Sequence, residues 1–371
     1  MIQPHGDRES VTGTPLIWLV LSDKGGDNAQ AERIAQALGM PYLVKRVLPR
    51  AQYVFGKPRF KPSLYHIDVA RSDPLQAPWP DLIITVGRRS SMVALWIKEQ
   101  SPRTRVVLLG RPRRWLERFD LVVSPIQYRL PDQGNVIQLN LPLFDIDPQR
   151  IAKARAEWSH RLALMPRPII GVLIGGPTRP FYMDAGVIDR LLAGARALAE
   201  QTGGTLYLST SRRTPAAVVE RLAAALPASA RLFRWGDAPA DNPYQALLGM
   251  AELFIVTGDS VSMMVEVVKA GRKLAIFPLP AHWWGRHWQT ITNALHPLQR
   301  RSLHARLAGA IGDGLYRIGL VGFPRDLTRV HRYLCDHGLA CLLGEPFPES
   351  VRGVPDELAA VAARVRALLG R

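Results

Sequence analysis

Cysteine is scarce in this chain: 2 among 371 residues, Cys335 and Cys341. Both lie in a Leu/Ala/Gly-rich setting, so the fold is expected to form without disulfides, with both thiols buried or inert in a reducing compartment. Neither C-x-x-C nor H-x-x-H spacing occurs among these cysteines and the 9 histidines, which argues against a structural zinc site, and no metal is expected. No apolar run approaches the roughly 18 residues of a membrane-crossing helix, and residues 1–10 have no hydrophobic signal region. No G-x-G-x-x-G follows the first strand-like run, only Gly25-Gly26, which argues against a dehydrogenase. Acid is the last shortage: 31 Asp and Glu stand against 48 Lys and Arg, a formal net charge of +17.

That surplus implies an acidic partner: nucleic acid, anionic lipid headgroups or a phosphorylated substrate. Hydrophobic residues at 47% and charged residues at 21% describe a globular protein with a sizeable core. The length fits two domains of roughly 150–200 residues. Strand-like runs alternate with helix-like segments almost throughout, the pattern of parallel sheets covered by helices. The runs are 16–21, 42–47, 82–86, 105–109, 121–123 and 135–139, then 169–174, 205–209, 231–235, 253–256 and 273–277. The predicted fold is α/β, with two facing Rossmann-like domains. A polar helix over 151–164, ended by Met165-Pro166-Arg167-Pro168, puts the boundary in 151–168, giving domains 1–160 and 161–371. A last amphipathic helix is predicted over 355–369.

Each half opens with a strand running into a glycine pair: Gly25-Gly26, with Asp23, Asp27 and Asn28 around it, and Gly175-Gly176-Pro177-Thr178. Each also carries an arginine pair followed by hydroxyl residues at a helix start, Arg88-Arg89-Ser90-Ser91 and Ser211-Arg212-Arg213-Thr214. Ligands of open parallel sheets bind beyond the carboxyl ends of the strands, where all these loops fall. Two facing domains would therefore line a positive cleft, with Arg212 and Arg213 suited to a diphosphate and Thr214 to capping a helix. An arginine pair merely solvated at a helix start fits the same residues.

The segment from Thr257-Gly258-Asp259-Ser260 to Gly271 reads as strand, tight turn and helix. At about 100° per residue, Val261, Met264, Val265 and Val268 make one apolar stripe, while Asp259, Ser262 and Glu266 share another side. The helix start offers free N–H groups for phosphate, and Glu266 can accept from both hydroxyls of a ribose. An ordinary capped helix with a solvated Glu would look the same.

Gly-Gly-Pro-Thr, Ser-Arg-Arg-Thr-Pro, Asn242-Pro243-Tyr244 and Thr-Gly-Asp-Ser-Val-Ser-Met263, in that order, resemble the family named for a plant protein of mitochondrial elongation and fission. Its bacterial members are described as glycosyltransferases. The likeness runs from the Asp23 loop to about Pro280. The Glu266-to-Gly271 spacing also resembles the donor-binding helix of GT-B glycosyltransferases, such as the enzyme that adds N-acetylglucosamine to make lipid II. That resemblance implies a nucleotide-diphosphate sugar as donor substrate, with no further cofactor, held by the second domain. Glu266 would meet the ribose, Ser260 and Ser262 the phosphates, Gly175, Gly176 and Thr178 the donor phosphate side, and Arg212 the diphosphate, with Ser211, Arg213, Asp259 and Met263 also among the donor-binding residues. Gly25, Gly26, Asn28, Arg88 and Arg89 would face the acceptor. The lipid II enzyme has a histidine in its first glycine-rich loop; here Asp23, Lys24, Asp27 and Asn28 stand there, leaving Asp23 and Asp27 as candidates for the general base. Turn geometry and helix capping favour Asp and Asn beside Gly equally well.

His282-Trp283-Trp284-Gly285-Arg286-His287-Trp288 fits sugar stacking, a lipid headgroup boundary or a packed interdomain loop. Basic residues crowd the first half, among them Lys45, Arg46, Arg50, Arg103, Arg105, Arg111 and Arg118. They suit an anionic membrane surface or a lipid-linked or phosphorylated glycan acceptor, and hence a cytoplasmic protein peripheral on the inner membrane. Nucleic acid is not an expected partner, since no recognition helix or stacking motif accompanies the charge. A sugar transferase acting on a lipid-linked or cell-envelope glycan is the leading reading. A non-hydrolysing nucleotide-sugar epimerase and a non-catalytic membrane-associated adaptor stand beside it.

Overall fold

A computed structural model describes residues 13–22, 25–53, 61–112, 115–178, 180–237, 241–283, 325–349 and 353–370, with the backbone alone at 25–27. Each predicted apolar run coincides with a strand to within two residues at either end. The first sheet takes β1 (Ile17–Leu21), β2 (Tyr42–Arg46), β3 (Leu82–Val86), β4 (Arg105–Leu109), β5 (Leu121–Pro125) and β6 (Val136–Leu139) in the order β2-β1-β3-β4-β5-β6. The second takes β7 (Ile169–Ile174), β8 (Thr205–Thr210), β9 (Arg231–Phe233), β10 (Leu253–Thr257), β11 (Lys273–Phe277) and β12 (Cys341–Leu342) in the order β12-β11-β10-β7-β8-β9. All pairings within both sheets are parallel.

The central strands are apolar at nearly every position because both faces are covered. In β1, Ile17, Leu19 and Leu21 enter one core and Trp18 and Val20 the other. β7 divides likewise, with Ile169 and Leu173 on one side and Ile170, Val172 and Ile174 on the other. Each such aliphatic side chain contributes about 1.5–3 kcal/mol when fully buried, which holds the sheets before any loop is considered.

The helices are α1 (Gly25–Leu38), α2 (Arg88–Gln100), α3 (Pro148–Ala163), α4 (Ala185–Thr202), α5 (Ala216–Ala225), α6 (Tyr244–Met250), α7 (Val261–Lys269), α8 (Thr328–Asp336) and α9 (Leu358–Leu368). α3 carries the chain from the first sheet to the second. Asp147 caps it by accepting from Gln149 and Arg150 N–H, Pro148 opens it, and Trp158 and Leu162 enter the second sheet's core. The predicted polar helix thus begins earlier than 151, at the proline.

After β12 completes the second sheet, α9 returns to the first. Val361, Ala362 and Val365 join the core shared with Ile34, Ala35 and Leu38 of α1. Arg366 donates to the carbonyl of Ala37 at 2.6 Å, closing the last turn of α1. Glu357 accepts from Asn140 N–H at 3.0 Å and from its side-chain amide at 3.1 Å. A second tie is ionic: Asp145 pairs with Arg33 of α1 at 2.7 Å and Lys269 of α7 at 3.3 Å, joining the helices of both sheets.

Cys335 and Cys341 are free thiols, and burial pushes Cys341 up to about 11, where it stays protonated and unreactive at neutral pH. Among the described residues, no helix is long and apolar enough to cross a membrane. The strand order reverses between β1 and β3 in the first sheet and between β7 and β10 in the second, the crevices where open α/β sheets take ligands.

Candidate functional site

The loops after β7, β8 and β10 interlock at the second crevice. Gly175 N–H donates to Thr257 Oγ1 at 2.9 Å and Gly176 N–H to Asp259 Oδ2 at 2.9 Å. Arg213 donates to the carbonyl of Gly176 at 3.1 Å and to Asp259 at 3.3 Å. A Cβ at residue 175 would lie 2.4 Å from Asp259 Oδ2, and one at 176 only 2.0 Å from the carbonyl oxygen of Arg213. The glycine pair is therefore demanded by close packing of the protein on itself. Thr214 belongs to this interlock too: its hydroxyl donates to the carbonyl of Gly175 at 2.6 Å and accepts from Ser211 N–H at 2.8 Å. The predicted capping role falls away, because α5 starts after Pro215 without a side-chain cap.

Asp259 is the pin of this arrangement. Its side chain is 0% exposed, and burial pushes its carboxyl up against the opposing pulls of Thr257, Gly176 N–H and Arg213. Asp259 therefore does not share a side with Ser262 and Glu266 as the helical period alone implies, since it precedes α7. Behind it, a Cβ on Gly258 would meet His331 Cε1 at 2.6 Å, and the His331 Nε2 lies 2.7 Å from the carbonyl of Gly258. Burial lowers the His331 pKa, which keeps this ring neutral at pH 7.

A cavity of about 610 Å³ opens beside the interlock. One wall is α3, with Arg150, Lys153, Glu157 and Trp158; the others are the end of β8 (Ser209, Thr210, Ser211), Trp235, the start of α6 (Asn242, Tyr244, Gln245) and α7 (Ser262, Met263, Glu266). α7 supplies what its sequence promises. Val261, Met264, Val265 and Val268 are buried in the core, leaving Ser262, Met263 and Glu266 on the cavity side. Ser260 precedes the first turn but its side chain caps no N–H, so the first donors of the helix are not closed off by it. The helix ends at Lys269, and Gly271 follows with φ +68°.

Within the cavity, Tyr244 Oη donates to Glu266 Oε2 at 2.7 Å. Burial pushes the phenol well above its ordinary range, reinforced by the adjacent carboxylate. Burial raises the Glu266 carboxyl as well, opposed by the Tyr244 hydrogen bond and the Arg150 charge. Oε1 of Glu266 has no hydrogen-bond partner among the described residues and is not sealed from the cavity. The result is one anchored carboxylate oxygen and one open acceptor, facing cations on α3 and an uncapped helix start on α7.

The structure thus brings Ser211, Ser262, Met263 and Glu266 together. Gly175, Gly176, Arg213, Asp259 and Ser260 lie in or beside the interlock and do not line the cavity; Thr178 and the exposed Arg212 do not line it either. Arg150, Lys153, Trp235 and Gln245 escaped the sequence reading. The α3 pair looked like linker polarity, and Trp235 looked like the end of a strand that stops at Phe233.

In the first half, the Asn28 side chain donates to the carbonyl of Ser22 at 2.7 Å, securing the entry to α1. Arg88 opens α2 and is exposed, while Arg89 donates to the carbonyl of Tyr53 and has His66 Nε2 3.0 Å from its own carbonyl. Gly25 and Gly26 form the first turn of α1. Asp23 and the Trp284–Trp288 stretch lie outside the described residues, as does the side chain of Asp27; Trp283 is exposed. No group of three or more His, Cys, Asp or Glu is poised for a metal among the described residues.

A family model described as mitochondrial fission ELM1 matches residues 25–311. The chain belongs to the mitochondrial fission ELM1 family. The mitochondrial fission protein ELM1 of Arabidopsis thaliana is 28% identical over 221 residues, 53% of this chain; the match spans about half of that relative, 51%. Among solved structures, UDP-GlcNAc 2-epimerase from Methanocaldococcus jannaschii overlays with a TM-score of 0.48 at 9% identity, covering 96% of this chain and 100% of that one. Spinosyn forosaminyltransferase overlays with a TM-score of 0.46 at 13% identity, covering 97% and 100%. Overlays this loose bring neither ligand nor reaction to the ELM1-family chain. For that, its own cavity must serve.

Proposed function

We propose that this ELM1-family chain is a GT-B-type glycosyltransferase, which moves a sugar from a nucleotide-diphosphate sugar to a lipid-linked or cell-envelope glycan. The observation that carries this reading is the Tyr244–Glu266 pair, which leaves one carboxylate oxygen open in a cavity that also presents the hydroxyls of Ser209, Ser211 and Ser262 and the cations of Arg150 and Lys153. An acceptor held open and in a fixed orientation is ready for a ligand to take in place of water, and the two hydroxyls of a ribose match it. The diphosphate lies by the start of α7, where Ser262 and backbone N–H groups meet Arg150 and Lys153 from across the cavity. Ser211 adds a hydroxyl from the end of β8.

In the transfer step, the bond from the anomeric carbon to the diphosphate breaks, and its electron pair leaves with the diphosphate. A bond from the acceptor oxygen forms, and the acceptor proton passes to a carboxylate, for which Asp27 and Asp23 at the entry to α1 are our candidates. Arg150, Lys153 and the helix dipole neutralise the departing charge, so the reading needs no metal. The basic residues of the first half, with exposed Arg46, Arg88 and Arg103, suit an anionic membrane surface and a lipid-linked phosphate, which supports a location on the inner membrane face.

The test uses the full chain, anionic vesicles carrying isoprenoid-phosphate-linked acceptors, and radiolabelled UDP-, GDP- and CDP-sugars in turn. Label moving into the lipid phase with one donor supports the proposal. Sugar interconversion without any acceptor would assign the cavity to an epimerase instead. Binding of no nucleotide would leave the adaptor reading.

A further inference from the structure

Trp235 is an oddity in this protein. Large apolar side chains are mostly buried, yet this residue remains 53% exposed, and it is alone among the exposed large hydrophobics of the described residues in lining the 610 Å³ cavity. Its backbone, by contrast, is held firmly. Trp235 N–H donates to Thr210 Oγ1 at 2.8 Å, Arg234 N–H to Asp237 Oδ2 at 3.2 Å, and Asp237 N–H back to the carbonyl of Arg234 at 3.1 Å. Gly236 completes this turn at φ +106°, a conformation that suits glycine. The chain thus fixes an aromatic ring at a cavity wall without covering it.

A second observation comes from the same wall. Gln245, on the first turn of α6, has a buried side-chain oxygen with no hydrogen-bond partner. A buried acceptor without a donor costs roughly 1–3 kcal/mol, and a ligand N–H that reached it would remove that cost. The cavity is also polarised. Charged linings come from α3 and α7 (Arg150, Lys153, Glu157, Glu266), whereas the β8, β9 and α6 side presents only neutral groups, Ser209, Thr210, Trp235, Asn242 and Gln245 among them.

A nucleotide has one part that is uncharged, flat and edged with N–H groups. We infer that Trp235 is the stacking face, and Gln245 the edge acceptor, for the nucleobase of the bound nucleotide, so that these two residues set which nucleotide enters. This rests on the nucleotide-sugar reading of the cavity and adds the end of the ligand that the reading leaves unassigned. Stacking gives affinity for any base because every base has a π face; Gln245 adds discrimination through the N–H it meets.

Calorimetric titration with UDP, GDP, CDP and ADP, and with inorganic pyrophosphate and ribose 5-phosphate as ligands lacking a base, tests the inference. For the preferred nucleoside diphosphate, Trp235→Ala is expected to weaken binding about 10- to 100-fold and Trp235→Phe far less, with pyrophosphate affinity unchanged in both. Gln245→Leu is expected to narrow the preference among the four bases. Unchanged melting temperatures of the unliganded variants show that folding is intact. Wild-type affinity for the diphosphate in Trp235→Ala, with Glu266→Ala impaired, overturns the base assignment and leaves the nucleotide reading standing. A Trp235→Ala loss seen with the nucleotide sugar but not with its nucleoside diphosphate would put the sugar, not the base, on the indole. A wild-type chain that binds none of the four overturns the nucleotide reading itself.

Discussion

Tyr244 donates its phenolic hydrogen to Glu266 Oε2 across 2.7 Å, a contact between the first turn of α6 and the second turn of α7. It holds the carboxylate in one orientation and partly repays the cost of burying it. Tyr244→Phe removes that donor while keeping the ring. Nucleoside diphosphate affinity is expected to fall about tenfold, the worth of one hydrogen bond to a charged group, as measured by titration calorimetry. Unchanged affinity would mean that the pair does not orient a ligand-binding oxygen.

Glu266 also sets a pH signature. Its folded pKa is raised by burial, so the protein holds this proton more tightly than the unfolded chain does. The stabilising contribution is complete below the unfolded carboxylate value and is lost as pH rises through the raised folded one. At pH 7 the ionised side chain is then a net cost. Glu266→Gln is expected to melt at a higher temperature than wild type at pH 7, with the gap shrinking as pH falls towards about 4. Thermal denaturation at the two pH values reads this directly, and a variant less stable than wild type at pH 7 would contradict it.

The glycine pair separates packing from ligand contact. Gly175→Ala and Gly176→Ala place a Cβ at 2.4 Å from Asp259 and 2.0 Å from the Arg213 carbonyl oxygen, so each is expected to cost about 1–3 kcal/mol or more in urea denaturation. Gly134→Ala, where an added Cβ meets nothing within 4 Å, is the control and is expected to stay within about 0.5 kcal/mol of wild type. Equal stability of all three would remove the interlock as the reason for the pair.

The closing helix is open to the same kind of test. Val365 of α9 is fully buried against the first sheet's core although it lies at the far end of the chain. Val365→Asp puts an unpaired carboxylate there and is expected to cost more than about 3 kcal/mol, seen as a lower urea midpoint. A surface-like loss below about 0.5 kcal/mol would mean that α9 is not part of that core.

Much of this architecture was legible in the sequence because parallel strands covered on both faces read as plain apolar runs, and α7 showed its buried stripe at the helical period. β12 was not, since Cys341–Leu342 is too short to display a period and owes its place to pairing with β11. The glycine pairs were visible as residues but not as causes: which neighbour would clash with a Cβ depends on β7, β8 and β10 meeting in space. For the same reason Asp259 grouped by period with Ser262 and Glu266, yet turns inward two residues before the helix begins. Glu266 and Ser262 did surface from local spacing. Arg150 and Lys153 could not, because only the crossing of α3 over the second sheet brings a connecting helix to the cavity wall. Tyr244 was within reach through Asn242-Pro243-Tyr244, although nothing local linked it to Glu266, 22 residues on.

The account turns on Glu266 as the ribose acceptor of a bound nucleotide, and the most direct measurement compares a ribonucleoside diphosphate with its 2′-deoxy analogue on wild-type and Glu266→Ala protein by titration calorimetry. Wild type is expected to favour the ribonucleotide by about tenfold, and Glu266→Ala to bind both equally and more weakly. A wild-type chain indifferent to the 2′-hydroxyl, or a Glu266→Ala chain that keeps the full preference, would contradict it.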